Sequence, residues 1–169
     1  LSYDLLTHQM HIRRYYLPQP TSSRPKTPHE AAERLRELLT DSIALRMRSD
    51  VTVGTCLSGG LDSSAIASIA STLHTNGGEA FRAITAISEL KENSEEEFAA
   101  RVVDRAKLEW LTTRPTFADF EGAVDDVVDT QEEPFSGPSV AMQFFVMKAA
   151  RAGGVTVLLV GQGADESPF

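Results

Sequence analysis

Two short stretches carry the residue types that hold phosphate. The first is Leu57-Ser58-Gly59-Gly60-Leu61-Asp62-Ser63-Ser64. Gly59 and Gly60 let the backbone turn sharply and bring bare N–H groups up to an anion. Ser58, Ser63 and Ser64 add hydroxyl donors, and a helix that follows would offer its positive end. Asp62 repels phosphate oxygens unless a Mg²⁺ ion, which takes hard oxygen ligands, bridges the two. The second stretch, Gly161-Gln162-Gly163-Ala164-Asp165-Glu166, offers another close-approach loop and another carboxylate, Asp165. Asp62 and Asp165 together fit one shared Mg²⁺–polyphosphate.

Other chemistries fail on their letters. A P-loop needs Gly-Lys-Ser/Thr, and the chain has no such triplet. The second stretch begins Gly-x-Gly, but its sixth residue is Glu166, so the dinucleotide fingerprint is broken. Cys56 stands two residues before Ser58 where a hydrolase nucleophile elbow has glycine. His8, His11, His29 and His74 lack metal-ligand spacing, and Cys56 reads as a small core residue.

The phosphate reading requires a strand before each loop and a helix after the first. Val51–Leu57 is a β-branched run, hence a buried strand, and Ser63–Leu73 is Ala- and Ile-rich, hence helical, stopped by Asn76-Gly77-Gly78. Further strands are expected over Phe81–Ile87, Trp110–Thr113 and Val155–Val160, and helices over Ser94–Lys107, Ala118–Asp129 and Ser139–Arg151, with Gly153-Gly154 breaking the last. The acidic run Glu95–Glu97 suits the start of a helix. Upstream, Thr27-Pro28-His29-Glu30 has the form of a capping box and opens an amphipathic helix over 28–48, with Leu35, Leu38, Leu39 and Ile43 on one face. Its Arg34, Arg36, Arg46 and Arg48 read as a solvated face. Residues 18–27 are proline-rich and read as a linker. Residues 1–17 read as two short strands with a turn at Thr7-His8-Gln9. Strands alternating with helices imply βαβ units: an α/β fold, a doubly wound parallel sheet with helices on both faces. Ligands of such sheets bind beyond the carboxyl ends of the strands, where both glycine stretches fall.

Composition agrees and excludes other classes. The 169 residues suffice for one domain, and hydrophobic residues at 41% with charged ones at 24% are an ordinary globular mixture. A lone cysteine excludes an internal disulfide framework. The longest clean apolar run, Val157–Val160, is far short of a membrane span, and Leu1–Thr7 has no basic start of a signal peptide. With 16 Lys and Arg against 24 Asp and Glu, the net charge of −8 disfavours nucleic acid. A soluble, cytoplasmic domain is expected.

Ser58-Gly59-Gly60-Leu61-Asp62-Ser63-Ser64 resembles the pyrophosphate-binding loop of the N-type ATP pyrophosphatases, of the adenine nucleotide alpha hydrolase-like fold. With Leu57 before it and Arg46-x-x-x-Asp50-Val51-x-Val53-Gly54 upstream, residues 28–166 resemble the synthetase domain of glutamine-dependent asparagine synthetases. Glu132-Glu133-Pro134-Phe135, Pro138-Ser139 and Gly161…Gly163-Ala164-Asp165-Glu166 follow in the family's order. The resemblance implies ATP and Mg²⁺ as cofactors, and a ligase in which a small carboxylate (aspartate in the family) is adenylated with release of pyrophosphate. An amine then displaces AMP. It further implies that Ser58, Gly59, Gly60, Ser63 and Ser64 hold pyrophosphate, that Asp62 and Asp165 bind Mg²⁺, and that the backbones at Leu57, Ala86 and Gly161 frame adenosine.

The sequence also departs from that family. The glutamate usual between the glycines of the second loop, which takes a proton from ammonia, is Gln162, an amide without a basic site. Lactam- and macrolactam-forming relatives tolerate other residues there, so a β-lactam or macrolactam synthetase is the alternative reading. The Ser-x-Gly-Phe-like end of the second strand is Thr85-Ala86-Ile87-Ser88, and Gly-x-x-His-His is Lys107-Leu108-Glu109-Trp110-Leu111. The chain ends at Ser167-Pro168-Phe169 where the family continues with glycine and tyrosine, so the domain 28–169 is expected to be truncated at its C-terminus. Residues 1–17 resemble the tail of a glutaminase-like domain, expected upstream as a partner. An uncovered apolar edge after the last strand makes a homodimer possible, and a nucleotide-binding fragment without turnover is the remaining alternative.

Overall fold

The structure, a computed structural model, describes residues 1–17, 25–74, 78–90 and 94–163. Contacts divide the chain into two units, Leu1–Leu35 and Arg36–Phe169. Asn76, Gly77 and most of the proline-rich stretch fall outside the described residues, as does the stretch from Ala164 onward.

In the first unit, β1 (Ser2–Tyr3) pairs antiparallel with β2 (Met10–His11). The turn sits at Leu5–Thr7, earlier than expected, because Asp4 makes it. Its carboxylate accepts from the N–H groups of Thr7 at 2.9 Å and Leu6 at 2.8 Å. The same bonds, Thr7 first, hold the Asp4 carboxyl below its ordinary range. Helix α1 (Pro28–Arg46) starts at the expected cap: Thr27 Oγ1 accepts from the Glu30 N–H at 3.2 Å. Glu30 reaches back one residue further than a capping box requires, accepting from the Lys26 N–H at 2.7 Å.

The second unit is built on a four-stranded sheet in the order β5-β4-β3-β6, every pair parallel. The strands are β3 (Val53–Cys56), β4 (Arg82–Ala86), β5 (Glu109–Thr113) and β6 (Val157–Leu159). The helices are α2 (Leu61–Leu73), α3 (Glu96–Ala106), α4 (Phe117–Gln131) and α5 (Pro138–Ala152). Alternation along each strand sorts side chains to two faces. Val53, Ala83, Trp110 and Leu159 pack with Ile43 and Leu39 of α1, Met47 just past its end, Ala67 and Ala70 of α2 and Ala99 of α3. Cys56, Ile84, Ala86, Leu111 and Leu158 pack with Val146, Ala149 and Ala150 of α5. The sheet is therefore covered on both faces, which is the doubly wound arrangement. An aromatic cluster of Phe120, Phe135, Phe144 and Phe145 joins α4 to α5.

Helix ends follow local chemistry. The stripe of α1 that packs begins at Leu39, while Leu35 and Leu38 are exposed, as are Arg34, Arg36 and Arg46 on the helix and Arg48 just past its end. α2 starts at Leu61 rather than Ser63 because Gly60 supplies the extended N-cap residue. α4 starts at Phe117 on a full capping box, Thr116 Oγ1 accepting from the Asp119 N–H and the Asp119 carboxylate from the Thr116 N–H. Gly54 is required where β3 lies closest to its neighbours: a Cβ there would come within 2.9 Å of Val155 Cγ1 and 3.0 Å of the Arg82 carbonyl. Among the described residues no helix is long and apolar enough to cross a membrane.

Candidate functional site

From β3 the chain steps through β4 to β5 on one side, then returns to place β6 on the other side of β3. The order reverses between β3 and β6, and ligands of open α/β sheets bind at such a switch point. Both glycine loops leave the sheet there. Between them lies a cleft of about 640 Å³.

The first loop is pre-shaped by its own serines. Ser58 and Ser63 hydroxyls are 2.9 Å apart, the Gly60 N–H donates to Ser58 Oγ at 3.2 Å, and the Ser58 N–H donates to Ser63 Oγ at 3.3 Å. Gly59 has φ 93°, the left-handed region that favours glycine, and it turns the chain against the start of α3. A Cβ there would stand 2.8 Å from both the Ala99 nitrogen and Phe98 Cβ. The second loop closes on the first at Gly161, where a Cβ would be 3.1 Å from Asp62 Cβ and 3.3 Å from Ile66 Cδ1. The two loops are thus packed together with glycine as the spacer.

Leu57, Ser58, Gly60, Asp62, Ser63, Ala86, Gly161 and Gln162 all line this one cleft. Gly59 and Ser64 are not among its lining residues: Gly59 backs the loop on α3, and Ser64 donates its N–H to the Gly60 carbonyl at 3.0 Å inside α2. Asp165 lies outside the described residues. Cys56, expected in the core, is half-buried and lines the cleft as well, and burial pushes its thiol up to about 11.

Several cleft residues were not anticipated. Glu95 and Glu96, at the start of α3, form its far wall, and Glu96 pairs with Arg114. Met142, Gln143 and Val146 reach it from α5. Their spacing places them on one helical face, a signal present in the sequence that needed the partner cleft to be read. Gln143 Nε2 is 3.5 Å from Gln162 Oε1, so the position between the loop's glycines faces a second neutral amide. At the junction of β3 and loop, the Thr85 hydroxyl donates to the Leu57 carbonyl at 2.7 Å, and the Trp110 indole N–H donates to Thr85 Oγ1 at 2.8 Å.

The donor set fits a phosphate-bridging Mg²⁺ better than a protein-caged metal. Among the described residues no three His, Cys, Asp or Glu side chains group closely enough to hold an ion by themselves. Mg²⁺ bound by one or two carboxylates plus phosphate oxygens and waters needs no such cage, and Asp62 in the first turn of α2 supplies one carboxylate beside the loop.

The chain is 33% identical over 159 residues to a Mycobacterium tuberculosis (H37Rv) protein provisionally named asparagine synthetase (glutamine-hydrolyzing), covering 92% of this chain and 23% of that protein. It is 32% identical over 132 residues to asparagine synthetase (glutamine-hydrolyzing) 1 of Bacillus subtilis, covering 78% of this chain and 20% of that protein. The chain thus spans about a fifth to a quarter of these curated relatives. Among solved structures, the NH3-dependent NAD synthetase of Campylobacter jejuni is similar at a TM-score of 0.49 and 17% identity, over 74% of this chain and 54% of that one. The profile of the asparagine synthase family matches residues 34–167, most of the sequence, and the chain belongs to that family.

Proposed function

We propose that the protein is the ATP-using part of an amide-forming ligase and that its cleft holds ATP with the polyphosphate over the Ser58–Ser64 loop. The observation that carries this reading is the packing of the Gly161 loop onto Asp62 at the switch point, which puts both glycine loops and a carboxylate around one cavity. Ser58, Gly60 and Ser63 hold the pyrophosphate end with hydroxyls, main-chain amides and the positive end of α2, while Gly59 and Ser64, which do not line the cleft, shape the loop and the first turn of the helix. The backbones at Leu57, Ala86 and Gly161 frame adenosine. Asp62, with Asp165 assigned from the sequence alone, holds Mg²⁺, which neutralises phosphate charge when bound.

In the first step a carboxylate oxygen of the substrate attacks the α-phosphorus, the bond to the bridging oxygen breaks, and pyrophosphate leaves from an acyl-adenylate. In the second an amine lone pair attacks the acyl carbon, the acyl–oxygen bond breaks, AMP departs, and the nitrogen loses a proton. The chain's part is positioning: the amides and hydroxyls of a loop shaped by its own hydrogen bonds meet the charge that builds on the departing pyrophosphate. In this reading the carboxylate is aspartate and ammonia comes from a glutaminase domain upstream, as the names of the glutamine-hydrolyzing relatives suggest for them. The setting is the cytoplasm.

A second reading is favoured by one residue. Gln162 cannot accept the amine's proton at neutral pH, and its neighbour Gln143 is equally neutral. An intramolecular amine, closing a lactam or macrolactam with a base from elsewhere, accommodates that substitution. Pyrophosphate–ATP exchange by the whole protein tests the common step. Exchange that requires a carboxylic acid is expected, and ADP with inorganic phosphate as products would overturn it. Gln162 predicts weak AMP release with aspartate and ammonia; robust release would decide against the lactam reading.

A further inference from the structure

Where β3 and β4 part, a side chain stands in for the ladder. Their register pairs end at Cys56↔Ile84, and the Leu57 N–H still donates to the Ile84 carbonyl at 2.9 Å. In a continuing parallel ladder the Leu57 carbonyl would accept from a main-chain N–H of β4. It accepts instead from the Thr85 hydroxyl. Among the described residues Thr55 and Thr85 are the buried polar side chains, and Thr85 is 4% exposed. Its hydroxyl has one proton and two lone pairs, whereas an indole N–H can only donate. The Trp110 N–H on Thr85 Oγ1 therefore occupies a lone pair and leaves the single proton for Leu57. Donation runs one way, from β5 through β4 to the first residue of the loop.

The same peptide is held at its other end. The Ser58 N–H donates to Ser63 Oγ of α2. One peptide plane, Leu57–Ser58, is thus clamped between the sheet and the helix, and its tilt sets where the serine hydroxyl and the following glycine amides face. Trp110 is not among the lining residues of the cleft. We infer that Trp110, acting through Thr85, is a positioning residue that fixes the loop over which the pyrophosphate of a nucleotide sits. Its catalytic consequence rests on the proposed function, while the clamp itself rests on the geometry alone. The protein has a single tryptophan, so its emission reports this junction without added label.

Two measurements on the protein and three variants test this. Amide hydrogen exchange in the free protein reads the clamp, with α5 amides as the internal reference. Titration with inorganic pyrophosphate and Mg²⁺, followed by Trp110 emission or calorimetry, reads the consequence. Thr85→Val keeps the shape and removes the hydroxyl. It is expected to speed exchange at Ser58 and Gly60 and to weaken pyrophosphate binding, each by about tenfold. Thr85→Ser is expected to stay within about twofold of the parent on both readouts, and Trp110→Phe to lose a few-fold. Loop exchange unchanged in both Thr85→Val and Trp110→Phe would overturn the inference, as would equal losses in Thr85→Val and Thr85→Ser, which would make packing the cause. If the variants loosen the loop but the parent binds neither pyrophosphate nor ATP, the clamp stands and the proposed function fails.

Discussion

Cys56 shows how a residue can belong to the core and to the site at once. It ends β3, packs on the α5 face of the sheet and still lines the cleft. Desolvation pushes its thiol up from 9.0 to about 11. Because the folded state holds the proton more tightly than the unfolded chain, the associated stability is present below the ordinary thiol range and lost as pH rises through about 11. Only the thiolate reacts, so alkylation by iodoacetamide is expected to be slow at neutral pH and to rise about tenfold per pH unit up to about pH 10. Saturating Mg²⁺–ATP should slow it further by covering the cleft. A rate that levels off near the ordinary thiol range would contradict the burial account, and indifference to ATP would contradict the placement of the nucleotide.

At the scale of elements, the glycines decide whether the loops and helices can meet. Gly59 combines φ 93° with contacts that leave no room for a Cβ, both against the first turn of α3. Gly59→Ala is expected to cost about 2 kcal/mol or more, from left-handed strain plus displacement of α3, and to weaken ATP binding in the fraction that folds. Thermal denaturation reads the first effect; an unchanged midpoint would mean that the loop does not bear on α3. The glycine–serine composition of this loop and the alternating strands were legible in the sequence, because turn chemistry and period-2 burial are local signals. Boundaries were less so. β3 begins at Val53 rather than Val51, at its first pair with β6, Val53↔Val157, which the Val157 N–H makes by donating to the Thr52 carbonyl at 3.2 Å. The packing of Gly59 on α3, the Glu96–Arg114 pair and the Trp110–Thr85–Leu57 relay join residues far apart in the chain, and no local pattern announces them. Trp110 reads in sequence as the start of a short strand and a departure from a family pattern; its role emerges once β5 lies beside β4.

For the whole molecule, the question is how a chain of net charge −8 receives a polyanion. Among the described residues that line the cleft none is lysine or arginine, while Asp62, Glu95 and Glu96 are acidic. Anion binding must then come from main-chain amides, serine hydroxyls and the α2 dipole, with a divalent cation to offset the carboxylates. This makes nucleotide affinity depend on Mg²⁺ far more than on surface charge. The most direct measurement is calorimetric titration of ATP into the protein and its Asp62→Ala variant, with Mg²⁺ and with EDTA. Binding that needs Mg²⁺ and falls at least about tenfold in Asp62→Ala is the predicted result. Equal affinity of variant and parent, or ATP binding undiminished in EDTA, would contradict the account.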